Sequence, residues 1–263
     1  MFGKLLKYEF KSIGKWYFAI NLAIIAIAGL LSVTIKWLEI GSKPQSATMS
    51  LLNQLLPLAL SLIFGSLITG SLLATLLIII NRFNKNIFGR EGYLTMTLPV
   101  SEHQLILSKL LSSLVWGFFN GLILILATLI MVIPQVSSRE INGVIKNVSD
   151  IIMKNPSTSV QIAVYYLLSA IGSVLLIYLA ISIGQLFANR RGLKAFIAYF
   201  IITITVSILL AFINFQIFDI KTTNSNLIFS QRFYLIGIVE TLIETIIFYL
   251  ATYGIIKYKL NLQ

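Results

Sequence analysis

The chain has no cysteine and a single histidine among its 263 residues. Zero cysteine excludes disulfides, thiolate metal ligands and a thiol nucleophile, and one imidazole cannot build a multi-histidine metal centre. Only 11% of the residues are charged, and 9 of them are acidic, which is too little polarity for a soluble globular domain. Also missing are the Gly-x-x-x-x-Gly-Lys-Ser/Thr phosphate loop and the His-Glu-x-x-His zinc pattern. The chain therefore reads as no enzyme: it lacks a nucleotide-hydrolysing loop of its own and any metal site. His103 falls within a helix-start pattern and is read as a structural residue there rather than a catalyst.

What is present is apolar. Hydrophobic residues make up 57% of the chain and its mean hydropathy is +0.91. Six runs dominate, at residues 16–38, 55–80, 105–133, 161–188, 193–218 and 233–256. Each reaches the ~20 residues that a helix needs to cross ~30 Å of hydrocarbon. The expectation is an all-α membrane protein with a single transmembrane domain of six helices. The first run is too long for a signal-peptide core and has no Ala-x-Ala exit, so it reads as a retained span.

A net charge of +11 raises nucleic acid as a partner, but the basic residues stand in short groups between the apolar runs. That pattern fits membrane orientation and no nucleic-acid contact. Six spans put both termini on one side. That side collects Lys4, Lys7, Lys11 and Lys15, then Arg82, Lys85, Arg90 and Lys109, then Arg190, Arg191 and Lys194, and finally Lys257 and Lys259. The other side holds only Lys36, Lys43, Arg139, Lys146, Lys154, Lys221 and Arg232. The excess of positive charge makes the terminal side cytoplasmic, and no basic residue is left inside a span.

Residues 1–15 read as an N-terminal interfacial amphipathic helix. At about 100° per residue, Lys4, Lys7, Lys11 and Lys15 share one face, opposite Phe2, Leu5, Leu6, Phe10 and Ile13, so the lysines meet lipid headgroups. Glu9 breaks the pattern by projecting into the apolar face. It is read either as a partly exposed residue paired with a neighbouring lysine or as a contact to a partner subunit.

The cytoplasmic segment 82–104 is the feature around which the spans are arranged. Gly89 and Gly92 permit tight backbone geometry, and Pro99 disfavours helix at Leu98. Ser101 followed by Gln104 is a capping-box pattern that starts a long helix near Glu102. On the opposite side, 134–160 is the longest polar stretch. Ile141, Val144, Ile145, Val148, Ile151 and Ile152 recur there at helical spacing, which predicts a short amphipathic helix, either a plain surface helix or a lid. Asn214 and Gln216 precede a second outer segment, 219–232, and suggest an irregular or re-entrant end or an earlier helix stop.

Glu240 and Glu244 lie four residues apart on one face of the sixth run. A charged, unpaired carboxylate there costs several kcal/mol. Two readings stand: a site for a cationic substrate or a proton relay, and hydrogen bonding to Asn21, Asn120 or Gln185. Gly117 and Gly121, and likewise Ser61, Gly65 and Thr69, are small-residue patterns that allow close helix approach, expected within the chain.

Lys7-Tyr8-Glu9-Phe10, Glu91-Gly-Tyr-Leu94, Thr97-Leu-Pro-Val-Ser101 and Lys109, set in this topology, resemble the permease subunits of type-2 ABC transporters, whose ATPase is a separate chain. The resemblance implies a place in the bacterial cytoplasmic membrane and no cofactor on this chain, ATP and Mg being held by partner ABC ATPase subunits. It implies a second permease subunit, the same or homologous, enclosing a path with the first. It implies export, of a peptide, lipid or drug, with antimicrobial-peptide export or immunity among the family's roles. The coupling helix that docks on the ATPase would lie within 82–98, with Phe83, Ile87, Phe88, Tyr93 and Leu94 as anchors, Arg82, Lys85, Arg90 and Glu91 as rim, and Gly92 and Pro99 shaping the loop. Aromatic residues among charges on such a loop have the composition of an interface, although a loop folded onto the membrane surface would share it. The competing reading is a proton-coupled secondary transporter working through Glu240 and Glu244.

Overall fold

The computed structural model describes residues 2–11, 15–40, 47–89, 101–216 and 231–259. Among them there is no strand. The helices are α1 (Phe2–Lys11), α2 (Lys15–Ile40), α3 (Ala47–Phe83), α4 (Glu102–Val132), α5 (Ser138–Lys154), α6 (Pro156–Gln185), α7 (Arg191–Gln216) and α8 (Gln231–Lys259). A π-helical turn, Asn84–Phe88, continues α3, and a 3-10 turn, Ile133–Gln135, continues α4. Six of the helices, α2, α3, α4, α6, α7 and α8, are long and apolar enough to cross a membrane.

The helix boundaries follow local chemistry. α4 starts one residue past Ser101, whose hydroxyl accepts the Gln104 backbone N–H at 3.4 Å, as the capping pattern predicts. α5 begins with a second capping box that is fully formed. The Ser137 hydroxyl accepts from the Glu140 N–H, and the Glu140 carboxylate accepts from the Ser137 N–H at 3.1 Å. Pro156 opens α6 at its first position, where the missing N–H costs nothing.

Some boundaries differ from the apolar runs. α3 begins at Ala47 rather than near 55 and passes through Pro57. The segment expected to leave the helix at Arg82 stays helical to Phe88, because its side chains find a core. α7 is continuous through Asn214 and Gln216. The Asn214 amide donates to the Leu210 carbonyl at 3.0 Å, so no irregularity occurs there. The segment 217–230 lies outside the described residues.

The chain divides into two compact units. The first comprises Met1–Glu9, Ile79–Leu114 and Ile152–Gln263. Here α6 packs against α7 and α8, and the core gathers Phe83, Ile87, Leu105, Ile106, Leu175, Tyr178 and Ile256. Gly184 makes the turn from α6 to α7 possible. A Cβ there would stand 2.6 Å from the Ala195 Cβ and 2.7 Å from the Arg191 carbonyl oxygen.

The second unit comprises Phe10–Ile78 and Val115–Ile151. Ile24, Ala28 and Leu31 of α2 meet Phe64 of α3 and Ala127 of α4. A buried polar ladder accompanies them: the Asn120 amide donates to the Asn21 carbonyl oxygen at 3.1 Å, and the Tyr17 hydroxyl lies 3.1 Å from that of Thr75. These four buried polar groups thus partner one another, as an apolar surrounding demands. The small residues do not act as the seams expected of them. A Cβ added at Gly65, Gly117 or Gly121 would meet nothing within 4 Å.

Candidate functional site

The site that brings most polar residues together is built around α1 and the π-helical turn, within the first unit. Leu5 and Glu9 are four residues apart and share the inward face of α1. Leu5 packs on the hydrophobic core, while Lys7, Tyr8 and Lys11 are exposed. Glu9 is 5% exposed. Its carboxylate pairs with the Lys109 ammonium, itself 3% exposed, and with the Arg82 guanidinium at 3.3 Å. The Asn86 amide donates to the same carboxylate at 3.5 Å. Glu9 is therefore neither partly exposed nor paired with a lysine of its own helix. Its cations come from the end of α3 and the first turns of α4, and Lys109 lies inside an apolar helix where no basic residue was expected.

The π-helical turn closes through a hydrogen bond from the Gly89 N–H to the Asn84 carbonyl at 3.0 Å. Glycine suits this closure because a Cβ at position 89 would lie 2.6 Å from the Lys85 carbonyl oxygen. The wider turn directs Phe83 and Ile87 into the core, and both are 0% exposed. Phe83 stacks on Tyr178 at 3.8 Å between ring centroids, and the Tyr178 hydroxyl is 2.8 Å from that of Ser113. Phe83 and Ile87 are thus core residues of this chain, which corrects their reading as exposed anchors for a partner. Phe88 is half-buried against Phe83. Arg90, Glu91, Gly92, Tyr93, Leu94 and Pro99 lie outside the described residues, as does the Lys4 side chain.

Beside the turn opens a polar cleft of about 640 Å³ lined by Asn81, Asn84, Lys85, Phe88, Gly89, Gln185, Arg191 and Gly192. The Gln185 amide donates to the Asn84 carbonyl oxygen at 2.8 Å, tying the turn to the end of α6. Arg190, at φ 52°, pays for the sharp entry into α7 with a left-handed backbone that residues other than glycine seldom adopt. His103 lies 2.6 Å from the Tyr249 hydroxyl and stacks on Tyr253 at 4.0 Å, joining the start of α4 to the end of α8.

Glu240 and Glu244 occupy a separate place, an apolar groove of about 550 Å³ walled by Val206, Leu209, Ile213, Val239 and Ile243. Asn214 is the partner of Glu240, donating at 2.9 Å and 3.2 Å to its two oxygens. One Glu244 oxygen is buried with no hydrogen-bond partner among the described residues. The polar residues proposed from sequence as partners are committed elsewhere: Asn21 and Asn120 to each other, and Gln185 to Asn84. Sequence reasoning missed Asn214, Tyr178 and Ser113 as site residues, and Lys109 as the partner of Glu9. A signal for the last pair existed, since Glu9 is an acid on an apolar face and Lys109 a base inside an apolar run. Each is costly alone and affordable only with the other.

Fold and site together define a multi-pass, all-α membrane protein. No protein-family model, curated protein or solved structure matches the chain. Any narrower reading must therefore rest on the residues.

Proposed function

We propose that the chain is the membrane subunit of an ABC-type exporter, driven by separate ATPase subunits that dock at the π-helical turn and the loop following it. The observation that carries this reading is the Glu9–Lys109–Arg82 cluster. It binds α1, the end of α3 and the start of α4 into one block directly beneath that turn, so a push delivered there is passed to three helices rather than absorbed by a loop. The cleft at the turn, with its exposed Lys85 and half-buried Phe88, supports it as a surface with the mixed character of a protein interface. The open small-residue faces at Gly65, Gly117 and Gly121 support pairing with a second membrane subunit. In this reading the N- and C-termini are cytoplasmic, α1 lies in the interface, and the transported molecule is a peptide, lipid or drug.

Purification of the tagged chain from native membranes tests the assignment. An ATPase subunit should accompany it, and Lys85→Glu combined with Tyr93→Asp should abolish both that association and transport without loss of the monodisperse protein. Absence of any ATPase, or transport unaffected by the double substitution, overturns the proposal. The Glu244 oxygen left unsatisfied in an apolar groove favours the second reading, a proton-coupled carrier. That reading requires an uncoupler to stop transport and ATP depletion at a maintained gradient to leave it intact.

A further inference from the structure

Helix α5 is amphipathic and, unlike the six long apolar helices, is not itself long and apolar enough to span a membrane. At about 100° per residue, Ile141, Val144, Ile145, Val148, Ile151 and Ile152 fall within an arc of about 120°. None of the helix's residues is buried. Val144 and Ile145 are each 61% exposed, and Val148, Ile151 and Ile152 are each 50% exposed. Ile141 is half-buried and the rest of the face is exposed among the described residues, and a contiguous apolar patch of this kind marks an interaction site.

The connections of α5 say what meets it. Val136 and Ser137 alone separate it from the 3-10 turn that ends the third membrane-spanning helix, and Asn155 alone separates it from the fourth. At ~3.5 Å per residue such connectors hold both ends within about 10 Å of a span. The apolar stretch of α4 continues to Ile133, the first residue of the 3-10 turn, so one end of α5 leaves from the edge of the hydrocarbon. In α6 the first six residues, Pro-Ser-Thr-Ser-Val-Gln, are mostly polar, which places the other end about 9 Å above that edge at 1.5 Å per residue. The headgroup layer is itself roughly 5–8 Å thick on each side. A helix of 17 residues tethered in this way is held at the layer, with one end at the hydrocarbon edge and the other at the layer's outer limit.

Charge agrees with this placement. Arg139, Lys146, Asp150 and Lys154 occupy the opposite arc, and Glu140, at the margin of the apolar one, is held by the capping bonds to Ser137. The apolar face takes no charge with it into lipid.

We infer that α5 is a monotopic anchor: it lies in the phospholipid interface on the side opposite the chain termini, with the face from Ile141 to Ile152 sunk among the acyl chains. The inference needs only the multi-pass topology and is independent of the ATPase reading.

The absence of cysteine makes the test direct. Single substitutions Val144→Cys, Val148→Cys and Ile152→Cys, with Asn142→Cys, Lys146→Cys and Asp150→Cys as the polar set, would carry nitroxide labels. The full-length protein would be reconstituted in vesicles of phosphatidylcholine and phosphatidylglycerol. The ratio of oxygen to nickel-chelate accessibility should oscillate along the helix and be at least about threefold higher at the apolar positions, as insertion into the acyl boundary requires. Bimane placed at the same cysteines should be quenched by shallow-brominated lipid at 144, 148 and 152 only. Two results overturn the inference. If the apolar positions are open to the nickel chelate, the helix is in water. If they are shielded from both reagents and unquenched by lipid, protein covers them, whether a second copy, another chain or the segment 217–230.

Discussion

Replacing Glu9 with glutamine keeps the shape of the side chain and removes a negative charge that faces both Lys109 and Arg82. Lys109, at 3% exposure, cannot reach water from where it stands, whereas the Arg82 side chain at 15% can recover part of its hydration. The cost is therefore dominated by a buried ammonium that has lost its carboxylate, and breaking a buried pair by removing one partner costs about 3–5 kcal/mol. Glu9→Gln combined with Lys109→Met removes both members, leaving a partly exposed guanidinium and an amide near Asn86. It should cost only about 1–2 kcal/mol, because a well-packed apolar replacement of an ion pair is often close to neutral. The double variant is thus expected to be more stable than Glu9→Gln alone, with a coupling energy of about 2 kcal/mol or more. Reversible unfolding of the four proteins in mixed micelles, followed by circular dichroism, measures both quantities. A loss below about 0.5 kcal/mol for Glu9→Gln, or additive single and double costs, would refute the reasoning, since exposed pairs behave in that way.

Two further substitutions probe the helix packing. Gly184→Ala forces a Cβ to 2.6 Å from that of Ala195 and 2.7 Å from the Arg191 carbonyl oxygen. The same unfolding assay should register a loss of about 1–3 kcal/mol, only partly recovered by Ala195→Gly because the backbone contact persists. Asn214→Leu removes both hydrogen bonds to Glu240 and should cost about 1–3 kcal/mol, while Glu240→Gln, which can still bond Asn214, should cost less.

The elements that were legible in the sequence are those fixed by neighbours along the chain. The apolar runs announced the long helices, Ser101 with Gln104 marked the start of α4, and the spacing of isoleucines and valines between 141 and 152 gave α5. What the sequence left open is set by distant residues. Glu9 looked like a flaw in a short amphipathic helix because its counter-charges lie 73 and 100 positions away. The family resemblance puts Phe83 and Ile87 among the docking anchors, but Phe83 stacks on Tyr178 and both side chains lie in the core beside the π-helical turn. The glycine patterns misled in the other direction. Glycine allows close approach without requiring it, and among the described residues Gly184 and Gly89 show it while Gly65 and Gly117 do not. Arg90, Glu91, Gly92, Tyr93, Leu94 and Pro99 lie outside the described residues, and their binding role rests on the family resemblance and on composition.

The cluster at Glu9 also has a consequence for how the molecule is made. Its carboxylate emerges from the ribosome about 100 residues ahead of the lysine that neutralises it. At ~5–20 residues per second of synthesis, α1 waits roughly 5–20 seconds for its full set of partners, Arg82 arriving before Lys109. During that interval a charged carboxylate without its partners is costly to bury, so the burial of this end of α1 waits on the residues that neutralise it. Assembly of this end of the protein is timed from behind, by a residue that the ribosome has not yet reached when the helix is already complete.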